Sequence, residues 1–98
     1  MIPYEYHPEA AGELEEAVQF YELRSAGLGS EFADEVERGL TEIRLYPESC
    51  QRVSNHLRSK TLGRFPYSLI YSHDPGLLYI LAVAHQSRRP GYWLHRLG

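Results

Sequence analysis

Cysteine is almost missing from this chain. Cys50 stands alone among 98 residues, so no internal disulfide can form, and a reducing cytoplasm is the expected compartment. Long apolar runs are missing too; none approaches the ~18 residues that a membrane span requires. The opening Met1-Ile2-Pro3-Tyr4-Glu5-Tyr6-His7-Pro8 has neither the basic stretch nor the apolar core of a secretory signal. The histidines fall at 7, 56, 73, 85 and 95 with no close ligand pair among them, so neither a metal site nor a cofactor is expected. Repeats, low-complexity tracts and linkers are lacking as well. A single domain over residues 1–98 follows, large enough to bury about 60–65% of the unfolded chain's surface. The 43% apolar content and a net charge of −3 fit a globular protein.

Acid is scarce in only one half. Residues 1–49 hold twelve of the thirteen acids and three arginines, a charge of −9. Residues 50–98 hold Asp74 alone against six arginines and Lys60, a charge of +6. Such polarity suits a basic surface that meets an anion, whether nucleic-acid phosphate or an acidic protein segment. It also arises simply because helices collect Glu.

The richest stretch is residues 62–93. Phe65, Tyr67, Leu69 and Tyr71 alternate with Pro66, Ser68 and Ser72, the period of a half-buried strand. Asp74-Pro75-Gly76 supplies turn chemistry. Leu77 to His85 is apolar on both parities, with Leu77, Tyr79, Leu81 and Val83 on one face and Leu78, Ile80, Ala82 and Ala84 on the other. That predicts an interior strand. It runs out into His85-Gln86-Ser87-Arg88-Arg89-Pro90-Gly91-Tyr92-Trp93, an aromatic-basic tail expected to be exposed.

Upstream, Pro3 to His7 alternates as a short first strand. Pro8 and Glu9 open a helix over about 8–26, with Ala10, Leu14, Ala17, Val18 and Tyr21 as its stripe and Gly27 as its C-cap. Ser30 is the expected cap of a second helix over about 30–46, with Phe32, Ala33, Val36, Leu40 and Ile43 inward and Pro47 after it. The short Gly27-Leu28-Gly29 link makes the pair antiparallel. Gly39 inside the second helix implies a close contact. Arg52 to Leu62 reads as an edge strand or two short pieces, its charges discouraging edge pairing. The fold class is α+β: two helices on a mainly antiparallel sheet of about four strands, ordered β-α-α-β-β-β with a short C-terminal tail.

Several pieces in this order carry a resemblance over nearly the whole chain. They are Glu13-Leu14-Glu15-Glu16-Ala17 with Phe20-Tyr21, Gly27-Leu28-Gly29 with Phe32, Pro47, Phe65-Pro66-Tyr67 with Ile70-Tyr71, and Val83-Ala84-His85 followed by Arg88-Arg89-Pro90 and Tyr92-Trp93. Together they resemble the RelE/ParE superfamily, the toxins of type II toxin–antitoxin (plasmid stabilisation) modules. The resemblance implies a cytoplasmic toxin held inactive by a cognate antitoxin, reaching operator DNA only through that antitoxin. RelE-like members cut messenger RNA on the ribosome; ParE-like members poison DNA gyrase by protein contact. RelE-like toxins are usually strongly basic, whereas this chain is mildly acidic with one lysine, which favours the ParE-like branch. A third alternative is a homologue that binds antitoxin without toxicity.

On the RelE-like branch, cleavage through the 2′-hydroxyl needs a base, an acid and cations for the crowded phosphate. His85 can serve as acid or base, Arg88 can clamp phosphate and Tyr92 can donate a proton or stack on a base. By position the superfamily also implies a basic group at Arg58, Lys60 and Arg64. With Arg88 and Arg89 these would bind either phosphate or the acids of an antitoxin. The plainer roles are a backbone hydrogen bond at the strand end for His85, ion pairs with the Glu-rich helices for the arginines, and packing for Tyr92 and Trp93.

Overall fold

The architecture follows from two apolar faces on one sheet. The computed structural model describes residues 1–97; Gly98, the last residue of the tail, lies outside them. β1 (Tyr4–Tyr6) leads into α1 (Pro8–Arg24) and α2 (Leu28–Leu45). β2 (Gln51–Arg52), β3 (Arg58–Thr61), β4 (Tyr67–Asp74) and β5 (Leu77–His85) follow, and a 3₁₀ turn at Leu94–Leu97 ends the chain. The sheet order is β1-β5-β4-β3-β2, with β1 parallel to β5 and the other pairs antiparallel. The α+β expectation and the interior place of Leu77–His85 both hold. The sheet has five strands instead of about four, because the charged stretch 52–62 divides around residues 53–57 into β2 and β3.

The helices cover one face. Ala10 and Ala17 of α1, and Phe32, Val36, Leu40 and Ile43 of α2, pack on Leu69, Tyr71, Leu78, Ile80 and Val83. An aromatic group fastens the hairpin to β4: Tyr21 and Phe65 lie 4.9 Å apart, as do Phe32 and Tyr67. Gly39 is the close contact its position implied, since a Cβ there would meet Leu62 at 3.2 Å and Leu69 at 3.3 Å.

The sequence reading of the helix joint and of β5 needs correction. Gly27 does not cap α1; it sits at φ 88° as the N-cap of α2, which starts at Leu28, leaving Ser30 inside the helix. The cap role expected of Ser30 falls to Glu22, which accepts from the backbone N–H groups of Gly27 (2.9 Å) and Gly29 (3.0 Å). In β5, Ile70 pairs with Ala82 while Tyr71 pairs with Ile80, so Leu81 is an extra residue in a bulge. The bulge swaps the parity of the strand. Val83 joins Leu78 and Ile80 under the helices, while Leu81 joins Ala82 and Ala84 on the other face.

That second face is where the tail lies. Leu57, Ile70, Leu81, Ala82 and Ala84 are buried there beneath Tyr79, Tyr92 and Trp93. The tail, expected to be exposed, is docked by its aromatic end: Tyr92 and Trp93 are half-buried, while residues 86–90 are exposed. Among the described residues no helix is long and apolar enough to cross a membrane.

Candidate functional site

Glu13 builds the site. It projects from α1 on the stripe between buried Ala10 and Ala17, at spacings that put it on the sheet-facing side. One carboxylate oxygen accepts the backbone N–H of Val83 at 2.9 Å. Arg96 grips both oxygens at 2.9 Å and reaches the carbonyl of Leu81 at 3.0 Å. The Tyr92 hydroxyl donates to the same carboxylate at 2.5 Å. The Arg96 side chain is 5% exposed and that of Glu13 16%, so the fork-to-fork pair is largely out of water, where such bonds are strongest.

The electrostatics follow. Burial pushes the Glu13 carboxyl up, but the bonds from Arg96, Tyr92 and the Val83 amide outweigh it and hold the group below the ordinary carboxylate range. Burial, then donation to Glu13, raises the Tyr92 phenol far above its ordinary value. The bond to Glu13 raises Arg96 further, against a smaller effect of burial.

Beside this lock, a cleft of about 270 Å³ opens between α1 and the end of β5. Glu13, Glu16, Ala17 and Phe20 of α1 form one wall, Tyr67 and Val83 the floor, and His85, Arg88 and Tyr92 the other wall. His85 and Tyr67 are cross-strand partners with rings 5.0 Å apart, edge to face. The backbone N–H of Ser87 donates to His85 Nδ1 at 3.0 Å, and the Ser87 hydroxyl lies 2.7 Å from the same nitrogen. In the neutral ring this assigns the proton to Nε2. Arg88 lies over the Tyr92 ring at 4.0 Å, a cation–π contact that holds the guanidinium at the cleft mouth.

The fold thus brings His85, Arg88 and Tyr92 together and leaves the other chosen cations elsewhere. Arg58 donates to the carbonyl of Cys50 at 2.8 Å. Lys60 pairs with Glu42, and Arg64 pairs with Glu31 at 2.7 Å, both on α2. Arg89 is exposed and does not line the cleft. Arg88 and Arg89 meet no carboxylate among the described residues. Sequence reasoning missed Glu13 and Arg96, which are 83 positions apart. The one available signal was an acid set inside an apolar helix stripe.

Comparison with known proteins adds identity to this geometry. No curated protein matches the chain. A solved structure described as the chromosomal ParDE TA system from P. aeruginosa superposes with a TM-score of 0.61 at 15% identity, over 87% of this chain and 96% of that one. That likeness concerns the fold. The family model for the ParE toxin of the type II toxin–antitoxin system parDE matches residues 4–90, and the chain belongs to the ParE toxin family.

Proposed function

We propose that this protein is a toxin that inhibits DNA gyrase by protein contact in the cytoplasm, and that a cognate antitoxin encoded beside it neutralises it. One observation carries the choice of contact over RNA cleavage: most of the groups that cleavage would need already have partners within the fold. The Tyr92 hydroxyl already donates its hydrogen bond to Glu13. His85 has Nδ1 bonded to Ser87 and so turns a donor, not a base, toward the cleft. Lys60 and Arg64 are matched by Glu42 and Glu31. Only Arg88 is left at the cleft to meet a phosphate, whereas phosphoryl chemistry needs several fixed positive charges.

The RelE-like reading keeps one observation in its favour, the convergence of His85, Arg88 and Tyr92 on a single cleft. Induced expression separates the two. Growth should stop, a reporter plasmid should lose negative supercoiling, and primer extension on an abundant message should show no new ends. Co-expression of the adjacent small gene should restore growth. New message ends with normal supercoiling would favour the nuclease instead.

A further inference from the structure

We infer that the cleft between α1 and the end of β5 is the anchor site for one short segment of the antitoxin, a bulky apolar side chain followed closely by a carboxylate. The inference rests on the toxin–antitoxin reading above and narrows it from a whole surface to one subsite.

Charge selects the site. Of the five cations to which the sequence leaves an acidic segment, Arg88 and Arg89 meet no carboxylate among the described residues, and of these two Arg88 is the one that lines a cleft with an apolar wall. Arg58 is spent on a backbone carbonyl, and Lys60 and Arg64 are paired with acids of α2. Arg88 meets no carboxylate among the described residues and is held flat on Tyr92 at 4.0 Å, so its N–H edges are preorganised to receive one. With Nδ1 accepting from Ser87, the Nε2–H of His85 adds a second donor in the same wall.

Shape selects the neighbour of that carboxylate. Ala17 and Phe20, one turn apart on α1, put an apolar patch into the cleft wall. Phe20 has Arg24 over its ring at 4.5 Å and Tyr21 at 5.3 Å, yet is still 49% exposed and so open to a partner at the cleft mouth. At about 270 Å³ the cleft is smaller than the roughly 300–1,000 Å³ of small-molecule sites, and its size suits a single large side chain. The lock of Glu13 with Arg96 and Tyr92 fixes the far wall, so little ordering is left for binding to accomplish.

The test is calorimetric titration of the purified full-length antitoxin from the adjacent gene into wild type, Phe20→Ala, Arg88→Glu, Arg88→Gln and Arg89→Glu. All four substitutions are at exposed positions, and thermal melts confirm that each variant is folded. Phe20→Ala and Arg88→Glu should each weaken binding by about tenfold or more, and Arg88→Gln by less than Arg88→Glu. Arg89→Glu, outside the cleft, should change it by less than about threefold. Reversal of one antitoxin acid to lysine should restore affinity for Arg88→Glu. Unchanged affinity in Phe20→Ala and Arg88→Glu overturns the anchor site while leaving the toxin reading intact, as does a loss that no reversed acid rescues. Failure of wild type to bind the antitoxin at all overturns the reading itself.

Discussion

Glu13 shows how much a single buried carboxylate can organise. It holds α1, β5 and the tail through four hydrogen bonds from three residues besides its own. Removing either member of a buried ion pair strands the other charge, so Glu13→Ala or Arg96→Ala should cost about 3 kcal/mol in urea denaturation. The double change Glu13→Leu with Arg96→Met should recover most of that loss. Tyr92→Phe removes one bond to a charged acceptor and should cost about 1–2 kcal/mol.

The same group sets a pH dependence. Its folded pKa lies below its ordinary 4.5, so its contribution is present above about pH 4.5 and drains away as pH falls through the folded value. Stability of the wild type should therefore decline more steeply between about pH 5 and 3 than that of Glu13→Gln. Parallel curves would mean that the carboxylate is not held as described.

At the scale of elements, the helix hairpin depends on two residues at its joint. Glu22 satisfies two N–H groups at the start of α2, and Glu22→Ala should cost about 1 kcal/mol, as loss of a helix cap does. A Cβ on Gly29 would lie 2.5 Å from the carbonyl oxygen of Val18, so Gly29→Ala must push the helices apart and should cost about 2–3 kcal/mol. An equilibrium melt of Gly29→Ala that matches wild type would refute so close an approach.

These two positions mark what the sequence made legible. Both helices and the long strands could be read because local periodicity follows burial, as with Phe32-Val36-Leu40-Ile43 on α2 and Tyr67-Leu69-Tyr71 on β4. The Glu22 cap could not, because a carboxylate five residues before the joint carries no capping signature. Nor could the bulge at Leu81, since a strand apolar on both parities looks the same in either register. The candidate site was half legible: His85, Arg88 and Tyr92 lie close in sequence, but Glu13 reaches them only through the packing of α1 on β5.

On the scale of the whole molecule, part of the charge contrast between halves is met at home. Glu31 and Glu42 of the acidic half face Arg64 and Lys60 of the basic half, and Glu13 faces Arg96. Arg52, Arg88 and Arg89 of the basic half remain exposed without a carboxylate among the described residues, fewer cations than a surface that holds RNA by its phosphates lines up. Arg88 is stacked beside a small cleft of mixed polar and apolar lining, a feature suited to protein contact. Without chemistry at His85 or Tyr92, neither should show the steep loss that removing a catalytic acid or base brings, so no single change at either should abolish toxicity.

The most direct measurement is supercoiling of relaxed plasmid by purified DNA gyrase in the presence of the purified protein, with wild type and His85→Ala compared side by side. Both proteins should block supercoiling at similar concentrations, and addition of the antitoxin should relieve the block. Gyrase that works normally at every toxin concentration, together with a cut in ribosome-bound message that disappears in His85→Ala, would contradict the account.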